Sequence, residues 1–473
     1  MLKKIILLGG VLSFVAVCIA GIIVYQRHES RRIKFSNPPV AVQFDSSNLP
    51  IVLINTDGKT GKMSKTNAIN ACITIINNEE GKTNYTDTSL HQSQCIDYDG
   101  FIEMRFRGHA SLVHHSKKSY SINLTTENGE RKDKARLLGM KKSSKWCLRA
   151  VHADGTLMRD VLTNELARDY FSYVPSDRYC ELVIDGVYQG IYLLSERVTK
   201  DRLKLKKSES DDNQLTGGYL IAKDKGHNAF LSNYPPRDST GKNIGTRGVA
   251  FQVAYPKAKN RTVEQKAFIK QELGEAEDAI ETADYKQYSK YIDVEEFVNY
   301  LLAQEMAYNA DAYRWSLKLY KSPRTNGLYK LVLWDFDYSY GNHSDADRSC
   351  YDQWMYQLPR TYTDTLEYPV FWWRQLMKDS VFMDKAKEQY LLMREHDYSE
   401  QNITAIIDSL QNLLTCGQAI DRNTKAWNTY DAIRGFSRKG ESFDEEVDYL
   451  KHWISRRLYF MDTVLLGRPL KQN

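Results

Sequence analysis

No C-x-x-C pair occurs among the seven cysteines, at positions 18, 72, 95, 147, 180, 350 and 416, which removes the zinc-ribbon and thioredoxin-type readings. There is no G-x-S-x-G, no H-E-x-x-H and no Walker phosphate loop, so nucleophile-elbow hydrolases, zincins and P-loop nucleotidases are excluded. The histidines form no ligand set: His114 and His115 are adjacent, and neighbours in a strand point to opposite faces. Excess charge of one sign is slight. A formal +5 over 473 residues gives no argument for nucleic acid as a partner. The six cysteines outside the N-terminal apolar run permit disulfides in an oxidising compartment without demanding them.

What is present describes a globular chain long enough for two or three domains and a large core, 42% hydrophobic and 26% charged. Tyrosine is common, at 31 residues, which suits extensive sheet. Ile5–Tyr25 runs without a charge and follows Lys3 and Lys4. It exceeds the roughly 7–15 apolar residues of a signal-peptide core and reaches the roughly 20 that span a bilayer, so a single-pass signal anchor over residues 1–34 is expected. Arg27, Arg31, Arg32 and Lys34 follow it and would pull that side toward the cytoplasm, leaving sidedness open.

Strand-like runs at 51–54, 71–76, 101–106, 120–124 and 146–150 predict a mainly antiparallel sheet. Between two of them, RFRGHASLVHHSKKSYSINL joins a glycine to the pair Lys117-Lys118, a loop that could neutralise phosphates or be an ordinary basic hairpin. Asp154-Gly155-Thr156 reads as the cap of a helix carrying Arg159 and Glu165. Two runs joined by Asp185-Gly186 read as a tight hairpin ending near Glu196. Residues 262–283 read as an exposed helix. Asp293 with Glu296 reads as a capping box for a helix whose apolar stripe includes Glu305.

That last helix delivers NADAYRWSLKLYKSPRTNGLYKLVLWDFD, residues 309–337. Asp311 precedes two predicted strands, 316–321 and 328–334, joined by a turn containing Pro323 and Asn326-Gly327. The second strand runs straight into Asp335-Phe336-Asp337, and because side chains alternate faces along a strand, those two carboxylates are expected on the same side. Folding the hairpin back brings Asp311 toward them, and carboxylates so placed repel unless a hard cation neutralises them. The same order, carboxylate, hairpin, carboxylate-Phe, occurs in protein kinases.

The blocks LPIVLINT, RFRGHASLVHHSKKSYSINL, LLGMKKSSKWCLRAVHADGTLMRDVLTNELA, ELVIDGVYQGIYLLSERV, GGYLIAKD, ELGEAEDAI, QEMAYNADAYRWSLKLY and LVLWDFDYSYGN together resemble the CotH kinase family of spore-coat protein H-like proteins. The resemblance implies an α+β, divergent two-lobed protein-kinase-like fold, with a sheet-rich lobe at 35–200 and a mainly helical lobe at 201–473, behind the transmembrane segment. It implies an ATP- and Mg2+- or Mn2+-dependent kinase acting on hydroxyls of cell-envelope proteins, membrane-bound and extracytoplasmic, its protein substrate unidentified. Asp311 resembles the catalytic Asp, with Lys118 and its partner Glu165 completing the catalytic set. Asp335 and Asp337 would hold metal, and Arg107, Lys117, Lys118, Arg159 and Glu196 the nucleotide. Two residues depart from the pattern. His109 replaces the usual Asn, and Ser316 stands where a second metal-binding Asn is expected, which keeps a pseudokinase open. D-x-D also keeps open a metal-dependent glycosyltransferase using a nucleotide sugar.

Overall fold

The computed structural model describes residues 38–468 apart from 131–132, 207–214, 216, 225–228, 239, 323–326, 358–367 and 431–435. The run Ile5–Tyr25 lies outside the described residues, as do Pro323 and Asn326. Among those described, no helix is long and apolar enough to cross a membrane. The chain is mixed α+β and separates into two units. One takes the chain up to Ala150 with Tyr179–Tyr192 and Lys425–Trp427; the other takes Val151–Arg178, Leu193–Thr424 and the residues from Asn428 on. A single division at residue 200 therefore does not describe the grouping.

In the first unit a short antiparallel pair, β1 (Ser46–Ser47) with β4 (Asn84–Tyr85), stands apart from a larger sheet. That sheet comprises β2 (Ile51–Asn55), β3 (Ile69–Ile76), β5 (Ile96–Arg107), β6 (Ser119–Thr125), β7 (Lys145–Arg149), β8 (Asp177–Ile184) and β9 (Val187–Glu196). It closes into a barrel in the order β2-β3-β5-β6-β7-β9-β8. Alternation drives its burial: Ile69, Ala71, Ile73 and Ile75 of β3 and Ile102, Met104 and Phe106 of β5 are all buried. Closure comes from a parallel pairing, Ile51 of β2 opposite Glu181 of β8. Asp185 and Gly186 turn β8 into β9 with φ of 49° and 77°, the two positive values that a type I′ turn requires. The Asp185 carboxylate also accepts from the Thr56 backbone N–H at 2.6 Å, fastening the turn beyond the end of β2. No disulfide occurs among the described residues.

The second unit begins with α2 (Arg159–Ala167), the short α1 (Ala110–His114) belonging to the barrel unit. Its five-stranded antiparallel sheet has the order β11-β12-β10-β13-β14, from β10 (Tyr219–Lys223), β11 (Ala229–Leu231), β12 (Ala250–Tyr255), β13 (Leu317–Lys321) and β14 (Lys330–Val332). Between β12 and β13 come α3 (Val263–Glu281), α4 (Tyr285–Tyr288) and α5 (Val294–Ala307); after β14 come α6 (Trp372–Leu376), α7 (Ser380–Glu395), α8 (Glu400–Thr415), α9 (Ala419–Trp427) and α10 (Phe443–Leu466).

Two sequence expectations change here. Helix α3 is amphipathic rather than simply exposed, with Ile269, Leu273, Ala276 and Ile280 buried. Asp293 caps α5 by accepting from the Glu296 N–H, but Glu296 does not return the bond. Its carboxylate instead accepts from the Leu331 N–H at 2.9 Å and the Ser172 hydroxyl at 2.8 Å, and pairs with Lys330. A residue expected to cap its own helix thus joins that helix to β14. Glu305 is the buried, partnered carboxylate of the two alternatives. It lies against Arg457 of α10 at 3.2 Å and accepts from Tyr313 and the Met355 N–H.

Candidate active site

The chain leaves α5 through Tyr308, which adopts a left-handed conformation (φ 43°) and turns the backbone back on itself. Asn309 follows. Its side-chain amide donates to the Asp335 carbonyl at 3.2 Å, and its oxygen accepts from the Asp311 N–H at 3.0 Å. One buried side chain therefore holds the backbones of both acidic residues. The Ala310 N–H bonds the Tyr338 carbonyl and the Tyr340 N–H bonds the Ala307 carbonyl, at 2.9 and 2.6 Å, so the segments on either side of the β13–β14 hairpin run together.

The hairpin is strained where the acids stand. Tyr308, Tyr313, Ser316, Asp335 and Tyr340 have φ of 43, 64, 55, 71 and 48°, a region that costs a residue with a side chain about 1–2 kcal/mol. Such residues gather at functional sites when surrounding structure over-determines them. Here the constraints are visible. Ser316 Oγ donates to Asp335 Oδ2 at 3.0 Å, and the Phe336 N–H donates to the Asp160 carboxylate of α2 at 2.9 Å while the Phe336 ring is fully buried. Asn342 donates to the Asp337 carbonyl at 2.6 Å and the Ala153 carbonyl at 3.0 Å. Regular β14 ends at Val332, so strand alternation does not carry Asp335 and Asp337 to one side as expected. Individual bonds place them.

Asp311 is a quarter exposed and paired with Arg314 at 2.8 Å. The phenol of Tyr338 is pushed above its ordinary value, first by burial and then by the charges of Asp337, Asp311 and Asp335. They do not form one ligand cluster. Among the described residues, no group of three His, Cys, Asp or Glu side chains is arranged to hold an ion, and the anticipated threefold grip is corrected accordingly. Asp335 and Asp337, both half-buried, are oxygen donors of the kind Mg2+ takes, since that ion is commonly held by one or two carboxylates with phosphate and water completing the shell.

The other predicted residues lie among residues of their own units. Glu165 is exposed and pairs with Arg168 on its own helix at 2.7 Å, the usual fate of an acid on a solvent-facing helical position. It is not a buried lysine's partner. Lys117 is buried, donates to the Ile191 carbonyl and lies 4.7 Å from the Tyr192 ring centre. Burial pushes its ammonium down to about 7. Lys118 donates to the carbonyls of Leu112 and His115, closing the loop that Gly108 opens at φ 111°. A Cβ at Gly108 would collide with Ser111 Oγ. Arg107 ends β5 opposite Ser119. Arg159 is fully buried between Asp154 and Glu446, and Glu196 is buried against Arg202 at 2.7 Å. A cleft of about 640 Å3 on the barrel unit, lined in part by Phe44, Asn55, Cys72 and Tyr188, contains none of these residues.

Asn309, Asp160 and Asn342 escaped the sequence reading. Asn309 carries the plainest signal, an amide two residues before an acid and just past a helix end. Asp160 shows only as an acid in the first turn of α2, and Asn342 only as a loop residue.

The inner spore coat protein H of Bacillus subtilis (strain 168) is 24% identical over 210 residues, which are 43% of this chain and 52% of that protein. The match thus spans about half the length of that curated relative. The family described as CotH kinase protein matches residues 104–461. That stretch contains the barrel strands from β6 onward, the acidic hairpin and most of α10, and the chain belongs to the CotH family.

Proposed function

We propose that the chain is a phosphotransferase, moving a phosphoryl group from Mg-ATP to a hydroxyl of a protein substrate. The observation that carries this reading is the Asn309 side chain, which holds Asp311 and Asp335 by their backbones at 3.0 and 3.2 Å. Phosphoryl transfer asks little covalent chemistry of a protein and much positioning and charge. Asp311 orients the acceptor hydroxyl and receives its proton, with Arg314 fixing the carboxylate at 2.8 Å. Asp335, fixed by Ser316, and Asp337 hold the divalent cation, which when bound neutralises charge on the phosphates. The Ser316 bond gives the departure from the kinase pattern a role: this hydroxyl orients the acid where an Asn would itself be a ligand. The kinase-like organisation and a membrane tether through Ile5–Tyr25, with the folded part outside the cytoplasm, complete the proposal.

The test is transfer of labelled γ-phosphate by the full chain with Mg2+ or Mn2+. Asp335→Asn and Asp311→Asn should each abolish incorporation while far-UV circular dichroism is unchanged. Stabilisation by UDP- or GDP-sugars but not ATP would replace this reading with glycosyl transfer. Nucleotide binding that persists without turnover would make the site a degenerate binding module.

A further inference from the structure

We infer that Lys318 is the lysine that contacts the nucleotide phosphates, held in place by Trp334. The inference rests on the phosphotransferase reading and departs from the expectation that Lys117 or Lys118 plays this part. Both of those side chains are buried, Lys117 against the Ile191 carbonyl and Lys118 against those of Leu112 and His115. Burial also lowers the proton affinity of both. A cation that must neutralise phosphate is better left charged and within reach of solvent-borne ligand.

Lys318 stands inside the acidic hairpin, half-buried rather than sealed in the core. It stands on β13 opposite Val332, the last residue of β14. The structure places the Lys318 Nζ 4.9 Å from the Trp334 ring centre and 3.4 Å from the Ser316 carbonyl. Ser316 is the residue whose hydroxyl holds the Asp335 carboxylate at 3.0 Å. The ammonium and the proposed metal-binding carboxylate are therefore linked through one residue. Lys318, Trp334 and Asp335 are all half-buried, neither sealed in the core nor freely solvated. An aromatic face beneath the lysine limits its rotamers and favours its charge, so the ammonium is held near the Ser316 carbonyl at reduced entropic cost.

The experiment compares full-length wild type, Lys318→Met, Lys318→Arg, Trp334→Leu and Asp335→Asn by calorimetric titration with ATP and Mg2+, and by labelled-phosphate transfer. Lys318→Met should weaken nucleotide binding about ten- to a hundredfold, the size of one lost charge-assisted hydrogen bond. Lys318→Arg should retain most of the affinity. Trp334→Leu should fall between them, and the salt dependence of binding should flatten in Lys318→Met. Thermal unfolding of Lys318→Met should match wild type, which separates a ligand contact from a structural one. If Asp335→Asn abolishes binding while Lys318→Met binds like wild type, this inference fails and the phosphotransferase reading stands. If wild type binds no nucleotide, both fail together.

Discussion

Asn309 is the residue on which the acidic hairpin turns, because its two bonds satisfy an Asp335 carbonyl and an Asp311 N–H in a position only 2% exposed. Asn309→Ala strands both backbone groups, at about 1–3 kcal/mol each, and should lower the thermal midpoint and reduce turnover more than nucleotide affinity. A variant with unchanged stability would show that the two acids are held by something else. Asp335 allows the strain itself to be measured. At φ 71° a Cβ is penalised and glycine is not, so Asp335→Gly should be more stable than Asp335→Ala by about 1 kcal/mol in urea unfolding, although both lose the carboxylate and any phosphotransfer. Equal stabilities would mean that the left-handed conformation costs nothing here. Asp311 and Asp335 were legible in the sequence as acids flanking a hairpin. The positive φ of Asp335 was not, and neither was the Asp160 bond behind Phe336, whose partners lie 176 residues apart in the chain.

Helix α3 shows what patterning conveys about an element and what it withholds. The sequence announced the Thr262 start, and Thr262 with Gln265 does form a reciprocal capping box. Asp293 and Glu296 present an equally good sequence signal at α5, yet Glu296 is drawn to Leu331 and Ser172 because burial against β14 outweighs a local cap worth about 1 kcal/mol. Periodicity also hides which acids lie inside. Glu277 sits on the buried face of α3, accepts from the Trp372 indole at 3.0 Å and is pushed by burial up to about 8 from an ordinary 4.5. Its folded form thus keeps a proton that the unfolded chain releases, so stability falls as pH rises between about 4.5 and about 8. Glu277→Gln keeps the shape and the indole acceptor and removes the titration. The variant should resemble wild type near pH 5 and exceed it by a few kcal/mol near pH 9, read as a widening difference in thermal midpoint. A constant difference across that range would place the titrating group elsewhere.

At the scale of the whole molecule, the barrel unit is built from distant parts of the chain, and this decides which fragments can fold. Its first five strands, β2 through β7 without the short β4, come from residues 51–149, but the strands that close it, β8 and β9, come after residue 176. A fragment ending at 150 leaves β2 and β7 with unpaired backbone along one side each, and such edges recruit other chains rather than persist. The apolar runs made the strands readable. They could not reveal the parallel β2–β8 closure, since each partner satisfies the hydrophobic pattern on its own. The unit also reclaims Lys425–Trp427 from near the end of the chain. The Trp427 indole donates to the Gln189 carbonyl at 2.8 Å, and the Val40 N–H bonds the Ala426 carbonyl at 2.8 Å. Trp427 packs with Tyr188, and both are largely buried. Residues 38–150 expressed alone should therefore show no cooperative unfolding and little amide protection. In the full chain, Trp427→Ala should cost about 3–5 kcal/mol and speed hydrogen exchange in the β8–β9 hairpin more than in β3 or β5. Cooperative melting of the 38–150 fragment would mean that the five consecutive strands suffice, and that closure by β8 and β9 adds a boundary to a sheet already stable without it.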